Sequence, residues 1–197
     1  MDAGTHLELE ITDVAHGGVF VARHGDERRV VFVPDTVPGE RVRVRLTDTS
    51  KKSFWRAEVV EVLDASPHRQ PHVWAQADLS VPAENRPGGA DFGHIVLREQ
   101  RALKLRVLED ALARIGRLSL PATMEPAHAS ATGEAESMDG TGWRTRVSLH
   151  VDAEGKIGPF GARSHRVVPV REMPLATSAI ADRAAGLSGA RPGRVDL

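Results

Sequence analysis

The chain has 197 residues, with 26 Lys and Arg against 27 Asp and Glu and a net charge of -1. That length suits one large or two small domains with a real core, and the neutrality confines any nucleic-acid site to a local patch. There is no cysteine, which excludes disulfides, thiolate metal sites, iron–sulfur clusters and a cysteine nucleophile together.

No apolar run approaches the roughly 20 residues of a membrane span, and the start MDAGTHLELE lacks the basic and apolar regions of a signal peptide. A soluble cytoplasmic protein with no membrane partner is expected. Tyrosine is absent and aromatics are scarce, while Ala, Arg, Val and Gly are common. This composition fits the codon usage of a GC-rich genome and carries no functional message.

Leu7, Leu9 and Ile11 alternate with Glu8, Glu10 and Thr12, which predicts a first strand. His16-Gly17-Gly18 supplies a turn in which positive φ costs nothing. Val19, Phe20 and Val21 begin a second strand, and His24-Gly25-Asp26 is a hairpin loop before the apolar run Val30-Val31-Phe32-Val33. After the turn Pro34 to Glu40 the alternation is strict. Val42, Val44 and Leu46 share one face, and Arg41, Arg43 and Arg45 the other. Beyond the loop Thr47 to Ser53, Trp55, Ala57 and Val59 oppose Arg56, Glu58 and Val60. Residues 5 to 63 thus hold about five short strands and no helix, the count of an OB-like barrel, with an SH3-like barrel as the alternative.

One wet side of this barrel is expected to carry Arg41, Arg43, Arg45, Lys51, Lys52 and Arg56 against the single acid Asp48, with Phe54 and Trp55 among them. Cations for phosphates and rings for bases are what single-stranded nucleic acid requires. The bland alternative is a solvated strand face with Trp55 in the core.

Gly17-Gly18, then VVFVPDTVPGERVRV, then Lys51-Lys52 and a strand ending Val59-Val60-Glu61-Val62-Leu63, resembles a TRAM domain. Such domains are small RNA-binding barrels attached to RNA-modifying enzymes. Ser66-Pro67-His68-Arg69 is similar to the SPxR step that leaves this barrel in the RNA uracil-5-methyltransferases that use S-adenosylmethionine. The resemblance runs from about residue 5 to residue 175, the linker excepted.

Residues 64 to 96 are rich in Pro and Gly and read as a loop. In that family this region usually carries cysteines that hold an iron–sulfur cluster, ending in CGGC. Here the corresponding residues are Pro87-Gly88-Gly89-Ala90, followed by Asp91-Phe92-Gly93-His94. The resemblance therefore implies a cluster-free member whose loop is held by packing and hydrogen bonds. His68, His72 and His94 come without a carboxylate pattern, so no metal site is assigned.

Between Leu97 and Ile115 the period becomes helical, and Leu105, Leu108, Leu112 and Ile115 fall on one face, extended by Leu97 and Ala111. Gly116 is placed to end the helix. Gln100 to Lys104 resembles the QxxxK segment of the family's helix after the cluster loop. Residues 119 to 142 hold acids but neither Lys nor Arg, and read as a flexible connection. Glu134, Glu136 and Asp139 sit there, too loosely placed to be a catalytic carboxylate set.

Trp143, Thr145, Val147, Leu149 and Val151 then share one strand face, with Arg144, Arg146, Ser148 and His150 on the other. A hairpin loop at 152 to 156 leads to a return strand at 157 to 161, and a third strand is expected at Val167 to Val170. This resembles the YRxR strand and SHxxVxV hairpin of the methyltransferases' central domain, with Met173-Pro174-Leu175 where CPI is usual. Arg144, Arg146, Arg163, His165 and Arg166 form a second local excess of positive charge, able to face the same RNA as the barrel. A short helix is expected over 176 to 187, and Arg194 to Leu197 start another alternation.

The expected fold is mainly β with α (α+β), in three parts: a barrel at 1–63, a Pro/Gly-rich loop at 64–96 and a partial central domain at 97–197. In the family the chain continues into a Rossmann-like domain holding the methyl donor, the cysteine nucleophile and the acid–base residues. No G-x-G-x-x-G loop, cysteine or paired carboxylates on an ordered element occur here, so no catalytic residue is assigned. The first expectation is an RNA-binding portion, for ribosomal or transfer RNA, of an S-adenosylmethionine-dependent uracil-5-methyltransferase, cut off before its catalytic part. DNA is not an expected partner. The alternatives are a free-standing RNA-binding or chaperone-like protein, and a module whose barrel contacts protein.

Overall fold

The computed structural model describes residues 1–126, 137–162, 164–188 and 191–197. It divides into two compact units: Met1–Gln70 with His94–Glu125, and Pro71–Gly93 with Pro126–Leu197.

In the first unit β1 (His6–Ala15), β2 (Val19–His24), β3 (Arg29–Val33), β4 (Arg41–Asp48) and β5 (Phe54–Asp64) form a closed barrel in the order β1-β2-β3-β5-β4. All neighbours are antiparallel except β3 and β5, which close it in parallel. Five strands closing with this crossover give the OB-like architecture. The period-2 pattern sends Leu9, Ile11, Phe20, Val31, Val33, Val42, Val44 and Leu46 inward, and each is buried. The turns use the expected glycines: Gly17, Gly18 and Gly25 all have positive φ.

The first unit continues beyond the barrel strands, which end at Asp64. Segment 66 to 70 and segment 94 to 96 pair with each other through an Arg69–Ile95 bridge and the bond from the Gln70 amide to the His94 carbonyl. Both are tied to the β3–β4 turn. His94 is buried, its Nε2 lies 2.9 Å from the Thr36 carbonyl, and its ring meets Phe20 edge-on.

The helix α1 (Leu97–Arg114) forms where the sequence places it, with its burial centred on Leu103, which the expected face did not include. Leu103 is its buried residue, in a stripe with half-buried Gln100, Val107 and Ala111, and it runs against β1 with an Arg106–Asp13 ion pair of 3.1 Å. Leu108 and Ile115, expected in the core, are exposed. The helix carries apolar residues on two sides: Leu97, Leu105, Ala111 and Leu112 of the expected face are half-buried, and the one fully buried residue, Leu103, lies outside that face.

In the second unit β6 (Ser148–Val151) is the centre of a three-stranded antiparallel sheet, flanked by β7 (Ile157–Gly158) and β8 (Gly193–Asp196). Leu149 and Val151 are buried as expected, whereas Trp143 and Thr145 are exposed and lie outside the strand. The third strand is β8; residues 167–170 contribute only an isolated Phe160–Val167 bridge. The helix α2 (Ser178–Ala185) matches its expected position. A small core of Trp74, Ala90 and Leu175 holds the Pro/Gly-rich loop of this unit.

Candidate nucleic-acid interface

The barrel's outer surface separates the expected basic set into two groups. Arg41, Arg43 and Arg45 face acids supplied by neighbouring strands. Arg43 lies opposite Glu8 on β1 and Glu61 on β5, and bonds both at 3.2 and 2.6 Å. Arg41 is paired with Asp64 at 2.8 Å and Glu8 at 3.5 Å, and Arg45 with Glu58. The hydrogen bond and charge of Asp64 hold the Arg41 guanidinium above its usual range. Cross-strand register makes this face a ladder of alternating charge, not a cationic stripe beside a lone acid.

The second group lies on β3, β5 and the loop between β4 and β5. Lys51, Lys52 and Arg56 are exposed, and among the described residues none has a carboxylate within ion-pairing distance. Asp48, opposite Arg56 across the β4–β5 pair, interacts by charge with Arg56 and Lys51. Hydrogen bonds from the Ser50 side chain and amide, with smaller help from Arg56 and Lys51, hold its carboxyl below the usual range. Phe32 and Phe54, both half-buried, meet edge-on with centroids 5.4 Å apart, and the Arg56 guanidinium stands 5.5 Å from the Phe54 ring. Phe32 pairs with Arg56 across the parallel β3–β5 junction, with Val21 on its other side.

Trp55 is not part of this surface. It is only 8% exposed, points into the barrel with Ala57, and lies beneath the Arg29 guanidinium at 4.8 Å. Period-2 alternation cannot put Phe54 and Trp55 on one face, and the wet one is Phe54. Phe32 was hidden in an apolar run; its outward parity, alternating with Val31 and Val33, was the available signal.

In the second unit the expected basic residues are anchored separately. Arg144 donates to the Gly89 carbonyl; burial lowers its pKa against the raising effect of Asp91. Arg166 bonds Asn85 at 3.2 Å, and His165 meets Phe160 edge-on at 5.3 Å, with His150 stacked on the same ring. Arg146 is exposed and acts on Asp196 by charge. Arg163, like Glu134 and Glu136, lies outside the described residues.

Neither the iron–sulfur cluster usual in the family that the sequence resembles nor its methyl donor finds a binding site among the described residues. At the CGGC positions stand Pro87 and Ala90, Met173 stands where the CPI step usually has its cysteine, Ala90 is packed against Trp74, and the chain has no thiolate at all. For S-adenosylmethionine the described residues contain no parallel doubly wound sheet and no glycine-rich strand–helix turn, so no methyl-transfer step is assigned to them. Among the described residues no group of three or more His, Asp or Glu could hold a metal, and no helix is long and apolar enough to cross a membrane.

The pattern that defines the TRAM domain matches residues 3–60. The chain is 35% identical over 185 residues to an uncharacterized RNA methyltransferase of Streptomyces avermitilis, covering 91% of this chain and 41% of that one. It is 39% identical over 166 residues to an uncharacterized RNA methyltransferase of Corynebacterium efficiens, covering 84% and 35%. A 23S rRNA (uracil(1939)-C(5))-methyltransferase of Shewanella denitrificans is 30% identical over 176 residues, covering 86% and 34%. The chain therefore spans about two fifths or less of the length of these curated relatives. Barrel, glycine turns and relatives agree: residues 3–60 are a TRAM domain, and the chain is similar over most of its length to part of curated RNA methyltransferases.

Proposed function

We propose that this chain is the RNA-capturing portion of an S-adenosylmethionine-dependent RNA uracil-5-methyltransferase acting on ribosomal or transfer RNA. Methyl donor and catalytic groups would belong to polypeptide outside these residues. The observation that carries the reading is the exposed Arg56 beside the Phe32–Phe54 pair, with exposed Lys51 and Lys52 in the adjoining β4–β5 loop. Cations not locked in an ion pair, with Asp48 the one carboxylate acting on Arg56 and Lys51 by charge, can replace the counterions of a phosphate backbone, and half-buried rings offer faces to unpaired bases. The β2–β3 surface and the β4–β5 loop are also where OB-type barrels take oligonucleotides. Arg41, Arg43 and Arg45 would contribute less, because each must first give up a carboxylate.

Binding to a uridine-containing RNA stem-loop across a salt series tests this. The slope of log affinity against log salt should shrink by about 2 when Lys51, Lys52 and Arg56 are changed together to Ala, at roughly 0.7 per single-strand phosphate contact. The charge-neutral double variant Arg43→Ala/Glu61→Ala should bind like the parent chain. Folded protein that binds no RNA at low salt would sink the proposal. A salt slope unchanged in the triple variant would mean that these three side chains do not meet the phosphates.

A further inference from the structure

We infer that Trp143, backed by Arg144, is a stacking platform in the second unit for an unpaired base of single-stranded RNA. The inference rests on the RNA-capture reading and adds a subsite to it.

The chain has three Trp, five Phe and no Tyr. Two of the indoles are spent in cores, Trp55 at 8% and Trp74 at 3% exposure, while Trp143 is 54% exposed. It is the one aromatic among the exposed large apolar residues of the described chain. A buried aromatic contributes more apolar area than almost any other side chain. Leaving a third indole half in water forgoes that gain unless something else covers the ring.

The ring is also held in place. Its backbone is fastened on both sides: the Gly142 amide donates to the Pro174 carbonyl at 2.8 Å, the Arg144 amide to Leu175 at 2.9 Å, and the Thr177 amide to Arg144 at 2.9 Å. The Arg144 guanidinium stands over the indole, 5.1 Å from the centroid, and donates to the Gly89 carbonyl. Asp91 adds a favourable charge to that guanidinium. Arg144 is thereby a positioning residue: it braces one face of the ring and leaves phosphate contact to other cations. A braced, half-exposed ring selects a flat aromatic ligand, and in an RNA-capturing chain that ligand is a base. Stacking of this kind tolerates any base but requires it to be unpaired.

The test titrates the whole chain with short oligouridine and oligoadenine strands at low salt, reading tryptophan fluorescence and, separately, anisotropy of labelled RNA. With the other two indoles buried, quenching reports Trp143. Both oligomers should quench, a duplex RNA should not, and Trp143→Leu should abolish quenching and weaken binding roughly tenfold. The salt slope should stay unchanged, because no cation is lost, and Trp143→Phe should restore most of the affinity. An unchanged melting temperature in Trp143→Leu separates this from a structural role. If the parent chain binds with its salt slope and Trp143→Leu binds equally well, the platform is refuted while RNA capture stands. Quenching by duplex as strong as by single strands also overturns it. No anisotropy change in the parent chain removes the RNA reading itself, and the platform with it.

Discussion

The Glu40 carboxylate, fully buried at the end of the β3–β4 turn, is gripped by the Arg69 guanidinium, with Nε 2.5 Å from Oε1 and Nη2 2.8 Å from Oε2. The same carboxylate accepts the amides of Val37 at 2.9 Å and Ser66 at 3.2 Å, and Arg69 reaches on to the Asp35 carbonyl at 2.8 Å. The two residues stand in the two sequence stretches that carried the resemblance, the PGE turn and the SPxR step. Their pairing explains both: one supplies a carboxylate with its oxygens satisfied, the other the planar fork that fits it. The clasp fastens segment 66 to 70, and through it segment 94 to 96, onto the barrel.

Removing one partner leaves the other buried and uncompensated. Arg69→Ala should therefore destabilise the first unit by about 3–5 kcal/mol, and Arg69→Lys, which cannot make the two-point contact, by an intermediate amount. Urea midpoints of the three proteins check this. A midpoint unchanged in Arg69→Ala would mean that water satisfies Glu40 and the clasp contributes little.

Phe54 and the cations around it should separate by their response to salt. Phe54→Ala removes a stacking face and no charge. It should lower oligouridine affinity by about 1–3 kcal/mol at every salt concentration and leave the salt slope intact. A loss that vanished at high salt would show that the ring acts only by holding Arg56, 5.5 Å away.

Much of this was legible in the sequence, and the gaps have a common cause. Period-2 alternation and positive-φ glycines are local, so all five barrel strands and both early turns follow from neighbouring residues. The Arg41–Arg43–Arg45 ladder is not local. Its acids sit on β1 and β5, and only register shows that Glu8 and Glu61 lie opposite Arg43. For the same reason β8 was not seen as the partner of β6: Ser148 and Asp196 are 48 residues apart in the chain. On α1 the sequence offers two apolar stripes, and the choice belongs to β1, which packs on the Leu103 side.

Acid should loosen the Pro/Gly-rich loop in a defined window. Burial pushes the Asp78 carboxyl up, but this is outweighed by bonds from the Ser80 amide and hydroxyl and the His72 amide, so its pKa in the folded chain is lowered. A group with a depressed folded pKa stabilises fully above its unfolded value, near 3.9, and loses that stabilisation as pH falls through the lower folded value. Urea midpoints should thus be level from neutrality down to about pH 5 on this account and then fall. Asp78→Asn should flatten Asp78's share of that fall. A pH profile identical in parent and variant would refute the assignment.

Among the described glycines of the second unit, Gly158 has the closest backbone neighbour. A Cβ built there would lie 1.9 Å from the Val168 carbonyl oxygen, and backbone cannot swing aside as a side chain can. Gly158→Ala should force β7 away from residues 168–169 and break the bond from the Val168 amide to the Pro159 carbonyl, now 2.9 Å. Gly17→Ala makes the contrast, because nothing lies within 4 Å of its Cβ and its cost is only the strain of positive φ. Amide exchange should show protection lost around residues 148–170 in Gly158→Ala with the barrel amides of β1 to β5 unaffected. Equal loss in both units would mean that the second unit has no separate cooperativity, and full protection in both would mean that the close approach at Gly158 relaxes without cost.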